Sequence, residues 1–176
     1  MSIKHPIISV TGSSGAGTST VKHTFQQIFR RESVKAATLE GDAFHRYNRK
    51  EMKKELEKRH AAGDATFSHF SFDANLLPEL EDCFRNYSEQ GTCRYRHYIH
   101  NSNEENLYGA KAGNFTKWEK FEEPSDLLFY EGLHGAVANE EINLARYADL
   151  KIGVVPVINL EWIQKIHRDT DSRGYS

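Results

Sequence analysis

Gly12-Ser13-Ser14-Gly15-Ala16-Gly17-Thr18-Ser19 follows the nucleotide-phosphate pattern G-x-x-x-x-G-K-[ST] except that Thr18 stands where lysine is required. Glycines let backbone amides approach an anion closely, and the Ser19 hydroxyl suits the Mg2+ that accompanies a nucleoside triphosphate. ATP and Mg2+ are therefore the expected cofactors, with Gly12, Ser13, Ser14, Gly15, Ala16, Gly17, Thr18, Ser19 and Thr20 around the phosphates. The missing cation has to come from elsewhere in the chain. On the loop alone, a Gly/Ser turn between a strand and a helix is the competing reading.

Two acids sit where core packing has no use for them. Glu131 follows the apolar run Leu127-Leu128-Phe129-Tyr130 and matches a Walker-B-type acid, able to hold Mg2+ directly or through water. Asp42 follows a second strand candidate, expected beside the loop's own strand, where a carboxylate could accept the proton of an attacking hydroxyl. Capping or loop carboxylates are the alternative for both. His45, Arg49 and Lys53 lie close to Asp42 in sequence and could hold an anionic substrate, although Lys53 reads equally well as part of a solvated helix face.

Lys165 and Arg168 are i, i+3 on the last expected helix, and Arg173 follows in a Gly-containing segment that could close as a lid. A charge about 4 Å from a phosphate oxygen is worth about 4 kcal/mol at an effective dielectric of about 20. Lys165 or Arg168 is thus the candidate to replace the lysine that Thr18 displaces; cations complementing a helix C-terminal dipole are the plainer alternative. His97 and His100, three apart on an expected strand, face opposite sides and make a poor metal pair, so they are assigned to surface or substrate contact. Tyr95, Tyr98, Trp118 and Trp162 read as packing rather than a base-stacking platform.

The elements that position these groups alternate. Ile7-Ile8-Ser9-Val10-Thr11 is a buried-strand candidate, and Val21, Phe25, Ile28 and Phe29 recur at helical spacing behind it. Residues 35–40 read as a strand, 49–60 as a charged surface helix, and the region around Leu80 and Phe84 as a helix. Residues 92–100 have the composition of an exposed antiparallel strand, and 101–121 are polar and turn-rich. Residues 127–130 and 151–155 are further buried strands around a short helix near 140–147, and Leu160, Ile163 and Ile166 mark a final helix over 159–168. This alternation predicts an α/β fold, a mostly parallel central sheet with its site at the strands' C-terminal ends.

Composition sets wide bounds. A chain of 176 residues with 38% hydrophobic and 27% charged residues fits one globular domain. A net charge of −2 leaves no basic footprint for nucleic acid, no apolar run is long enough for a membrane span, and the start leaves no room for a signal peptide, so a cytoplasmic location is expected. Cys83 and Cys93 read as reduced, incidental thiols.

With these residues in hand, the whole chain resembles the bacterial-type phosphoribulokinases of the phosphoribulokinase and uridine kinase family. The resemblance rests on residues 12–20 with threonine in the lysine position, Glu40-Gly41-Asp42-Ala43-Phe44-His45-Arg46, Gly113-Asn114-Phe115-Thr116, Tyr130-Glu131-Gly132-Leu133-His134-Gly135, and Lys165-x-x-Arg168-Asp169-x-x-x-Arg173-Gly174. It implies a P-loop kinase-like three-layer sandwich with an antiparallel edge excursion. It also implies ATP-dependent phosphorylation of ribulose 5-phosphate at the C1 hydroxyl in the Calvin cycle. By this resemblance Asp42 is the base, Glu131 the Walker B acid, Asp169 a second catalytic acid, and Lys165 and Arg168 catalytic cations. Arg173 joins the nucleotide contacts, and His45, Arg49, Tyr98, His100 and Arg168 form the substrate set. Homo-octamers and an NADH effector, with Arg31 a contributor, are also implied. Residues 1–176 are then a single P-loop kinase domain without its C-terminal portion. A uridine-kinase-like nucleoside kinase and a nucleotide-binding module without turnover are the rival readings.

Overall fold

The structure is a computed structural model, and it describes residues 5–167 and residue 170. The central sheet has strand order β2-β5-β1-β6 and is parallel throughout, built from β1 (Ile7–Gly12), β2 (Ala36–Glu40), β5 (Leu127–Gly132) and β6 (Leu150–Val154). Side chains alternate faces along each strand. Val10 and Phe129 therefore pack with Phe25 and Phe29 of α1 (Thr18–Arg31) on one side. Ile7, Leu39, Leu128 and Tyr130 pack with Leu80, Phe84 and Tyr87 of α3 (Leu77–Gln90) on the other. Helices on both faces of a parallel sheet are the expected architecture. Ile28, counted in the α1 stripe, lies at its exposed margin.

β5 lies between β1 and β2, so β2 is not the neighbour of the loop's strand as the spacing suggested. Asp42 reaches the site because a 3-10 turn over Gly41–Phe44 continues β2 beyond the sheet. α2 (Arg49–Ala61) buries no residue; Asn48 starts it with a capping box, accepting from the Glu51 amide while the Glu51 carboxylate accepts from Asn48 N–H at 2.9 Å.

The excursion differs from its expected form. Strand pairing is confined to β3 (Arg94–Tyr95) against β4 (Glu119–Lys120), a separate antiparallel pair, with an isolated bridge between Tyr98 and Phe115. Inside the turn-rich stretch, Asn101 accepts two amide hydrogens and starts α4 (Ser102–Tyr108), a helix too short and polar for periodicity to reveal. Near 140–147 only a 3-10 turn over Leu144–Arg146 forms. Cys83, on the buried face of α3, is joined as a disulfide to Cys93, which the chain brings back after Gly91 ends the helix. The two are therefore not the reduced thiols expected. α5 (Ile158–His167) leaves Leu160, Trp162, Ile163 and Ile166 exposed, and β6 is an edge strand among the described residues. No helix among the described residues is long and apolar enough to cross a membrane.

Candidate active site

β1 feeds the loop and α1 leaves it. The Ala16 amide donates to the Ser13 carbonyl at 3.0 Å, and Gly15 and Gly17 sit at φ +94° and +95°, the left-handed region that glycine enters without steric cost. The loop packs against α5: a Cβ on Gly15 would stand 3.0 Å from the Glu161 carbonyl oxygen and 3.1 Å from Lys165 Cβ. Gly15→Ala should therefore raise the nucleotide Kd about tenfold, since it adds both backbone strain and a clash. Titration of a fluorescent ATP analogue checks this, and an unchanged Kd would show that the loop can shift away from α5. Gly17 has no side chain to cap α1, and with the Thr20 amide donating to the Gly17 carbonyl at 3.0 Å, the Thr18 and Ser19 amides are the ones the helix start offers to an anion.

Thr18 lies close to the Walker-B-type acid, and its side chain helps to hold the Glu131 carboxyl's pKa down. Glu40 and Glu131 are register partners on β2 and β5, so the two carboxylates emerge on one face, beside α1. Lys22, one helical turn after Thr18, reaches them, with Nζ 2.5 Å from Glu40 Oε1. Burial pushes the Glu131 carboxyl above the usual range and the charges of Glu40 and Asp42 add to it, while Thr18 and Lys22 oppose. Burial also works against charge on Lys22, but Glu40 and then Glu131 outweigh it and raise its pKa. Lys22 and Glu40 were not singled out from the sequence; the signal was there, because Glu40 ends a strand just as Glu131 does.

For Mg2+ the local donors are hard oxygens, the Ser19 hydroxyl and the Glu131 carboxylate, which suits that ion. Among the described residues no group of three His, Cys, Asp or Glu could hold a metal, so the nucleotide's phosphates and water would complete its shell.

The second half of the site surrounds Asp42. His45 Nε2 lies 3.2 Å from Asp42 Oδ1, and His100 Nε2 lies 3.4 Å from Oδ2. The Tyr98 ring stands edge-on to both imidazoles, 6.0 Å from His45 and 4.9 Å from His100. Arg49, at the start of α2, donates from its guanidinium to the His100 carbonyl at 3.0 Å and from its amide to the Gly113 carbonyl at 2.8 Å. The four expected substrate contacts His45, Arg49, Tyr98 and His100 are thus brought together. His97 is elsewhere, stacked on Tyr108 at 4.1 Å, and burial lowers its pKa. Residues 97–100 lie outside the short β3, so the strand argument that separated the two histidines does not apply.

Arg96 fastens the excursion to the Asp42 turn. Its guanidinium donates to the carbonyls of Ala43 and His45, both at 2.7 Å, and is held between the rings of Phe115 at 3.6 Å and Trp118 at 4.5 Å. Burial brings its pKa down to about 10, with Glu79 opposing. Composition gave no hint of this residue, because an arginine in a polar segment reads as surface.

Burial disfavours charge on His45, yet hydrogen bonding to Asp42 and the charge of that carboxylate outweigh it and raise the pKa above 6.5. A raised histidine pKa stabilises the fold fully below pH 6.5, and that contribution is lost as pH rises through the folded value. Wild type minus His45→Gln should therefore show a stability difference that shrinks from pH 6 to pH 8, measured by urea unfolding. A constant difference would place no proton between His45 and Asp42.

Lys165 has its stem against the loop at Gly15 and its ammonium 5.6 Å from the centre of the Phe70 ring. Arg168, Asp169 and Arg173 lie outside the described residues. A cavity of about 310 Å³ adjoins the loop, lined by Gly12, Ser13, Leu133, Val154, Pro156 and Glu161 among others.

The family model described as "Phosphoribulokinase / Uridine kinase family" matches residues 7–176. A phosphoribulokinase 1 of Cereibacter sphaeroides is 69% identical over 176 residues, which cover 100% of this chain and 61% of that protein. A phosphoribulokinase of Nitrobacter vulgaris is 62% identical over 173 residues, 98% of this chain and 60% of the relative. The solved structure of a phosphoribulokinase from Rhodobacter spheroides is similar with a TM-score of 0.84 at 67% identity, covering 98% of this chain and 58% of that one. A possible uridine kinase from Bacillus stearothermophilus shares the fold alone, with a TM-score of 0.61 at 13% identity over 98% of this chain and 85% of the other. The chain spans about 60% of the length of the curated relatives it matches.

Proposed function

Because the chain belongs to the phosphoribulokinase and uridine kinase family, we propose that it carries the loop and the acceptor site of an ATP-dependent kinase acting on D-ribulose 5-phosphate. The γ-phosphoryl group of ATP passes in line to the C1 hydroxyl, giving ribulose 1,5-bisphosphate and ADP, in the Calvin cycle. The observation that carries this reading is the Asp42 carboxylate held between His45 and His100, with Arg49 alongside: a base set among groups that attract an anionic sugar. The names and high identity of the relatives support the same acceptor.

In this mechanism the loop and the first turn of α1 hold the β- and γ-phosphates. Ser19 and Glu131 hold Mg2+, which neutralises phosphate charge when bound. Asp42 accepts the C1 hydroxyl proton as that oxygen attacks. His45, Arg49, Tyr98 and His100 orient the sugar phosphate, and Lys165 offsets the charge of the transferring group. Arg168 and Asp169 join that work and Arg173 the nucleotide contacts in the same reading, with residues 1–176 acting as one P-loop kinase domain. A cytoplasmic location, homo-oligomers and an NADH response belong to it as properties of the whole protein.

ADP release by the full-length chain, with ribulose 5-phosphate against uridine as acceptor, tests the proposal. Ribulose 5-phosphate is expected to be preferred by at least about 10²-fold in kcat/KM, because a neutral nucleoside leaves the cationic groups unmatched. A preference for uridine would assign the site to a nucleoside kinase, and ATP binding without turnover on either would assign it to a binding module.

A further inference from the structure

Asn75 follows a 3-10 turn over Phe72–Ala74 and is buried, at 3% exposure. Its segment pairs antiparallel with the Asp42 turn: Arg46 N–H donates to the Ala74 carbonyl at 2.9 Å, Leu76 N–H donates to the Phe44 carbonyl at 2.7 Å, and His45 bridges Asn75. This sets the two side chains side by side, with Asn75 Oδ1 2.9 Å from His45 Nδ1.

The orientation of the Asn75 amide is determined by its other partners. Nδ2 donates to the carbonyls of His69 at 3.1 Å and Ser71 at 2.8 Å. Reversing the amide would set its oxygen against two carbonyl oxygens, leaving two acceptors without a donor. Oδ1 therefore faces His45 and can only accept, so Nδ1 carries a hydrogen. A neutral imidazole has one N–H, which would leave a bare lone pair on Nε2 facing the Asp42 carboxylate at 3.2 Å. That arrangement is repulsive.

We propose that Asn75 is a positioning residue that keeps the hydrogen on His45 Nδ1 and thereby holds a second proton on Nε2, against Asp42 Oδ1. His45 is then an imidazolium, in keeping with its raised pKa. The titratable and charged groups around it are Asp42 in its own turn, Arg96 and His100 on the excursion, and His134 after β5; Asp42 favours the charge and Arg96 opposes it. Asp42 Oδ1 then accepts from His45, while Oδ2 faces His100 Nε2 at 3.4 Å. The protonation of His45 does not rest on the reading of Asp42 as the base.

Nitrogen NMR of the full-length chain labelled in histidine reads the protonation of each ring nitrogen. At about pH 7.5, where an ordinary histidine is mostly neutral, His45 should have both nitrogens protonated. Asn75→Ala should lower the His45 pKa by about one unit or more, with the His97 signals unmoved as the sign of an intact fold. Asp42→Asn should strip the proton from Nε2 and leave the hydrogen on Nδ1. A hydrogen on Nε2 with a bare Nδ1 in Asp42→Asn overturns the proposal, as does an unchanged His45 pKa in folded Asn75→Ala. If Asn75→Ala does not fold, Asp42→Asn alone decides. Should the chain prove not to phosphorylate ribulose 5-phosphate, these assignments stand or fall unaffected.

Discussion

Asp42→Asn should lower the turnover of the full-length chain by about 10²–10⁴-fold while nucleotide affinity changes little. The amide is nearly isosteric and keeps an oxygen for a hydrogen bond, but it cannot take a proton from an attacking hydroxyl. Its neighbours sharpen the expectation. His45 and His100 both face the carboxylate, so the substitution also removes the charge that favours a protonated His45. The acceptor KM should rise modestly, and the loss should fall mainly on kcat, because the phosphate loop lies two strands away across β5. Steady-state ADP release alongside ATP titration separates the two effects. Full turnover in Asp42→Asn would remove Asp42 from the base role and return attention to Glu131.

Lys165→Met should cost about 10³-fold in kcat, the rate equivalent of losing roughly 4 kcal/mol of charge stabilisation near the transferring phosphoryl group. Thr18, in the position where the pattern calls for lysine, brings no cation. Lys22 is the rival, but it is bound to Glu40 at 2.5 Å and faces two carboxylates, so its charge is already spent on them. Lys165 is held by α5 against Gly15, with its ammonium 5.6 Å from the centre of the Phe70 ring. Methionine preserves the stem that packs there and removes the charge alone. The opposite result, near-normal kcat in Lys165→Met and collapse in Lys22→Met, would transfer the role to α1.

The parallel sheet was legible because each of its four strands is an apolar run bounded by turn residues, and α1 because its stripe has period 3.6. The acids were legible by position, at strand ends where packing makes no demand. Strand order was not, and so Asp42 was placed one strand too near the loop; nothing local in β2 records that β5 intervenes. The excursion was legible only as polar and irregular. Its order comes from single long-range bonds, such as Arg49 to His100 and Arg96 to Ala43, which leave no periodic trace. Asn75 leaves no signal in the sequence pattern, since its role depends on which carbonyls its amide meets. The α5 spacing predicted a helix correctly, yet periodicity says nothing about a partner, and the apolar face is open among the described residues.

Arg96 bears on how acceptor preference could change. Residues 92–121 carry Tyr98 and His100, so swapping that segment between relatives looks like a simple route to a new substrate. The swap is not modular. The same segment supplies the guanidinium that anchors the Ala43 and His45 carbonyls, and the two rings that sheathe it. A graft lacking that arginine would leave the Ala43 and His45 carbonyls without their donor and slacken the turn bearing Asp42. The Asp42 turn and the Tyr98–His100 stretch of the proposed acceptor site are therefore coupled through one side chain, and an exchange of the segment has to carry Arg96, Phe115 and Trp118 as a set.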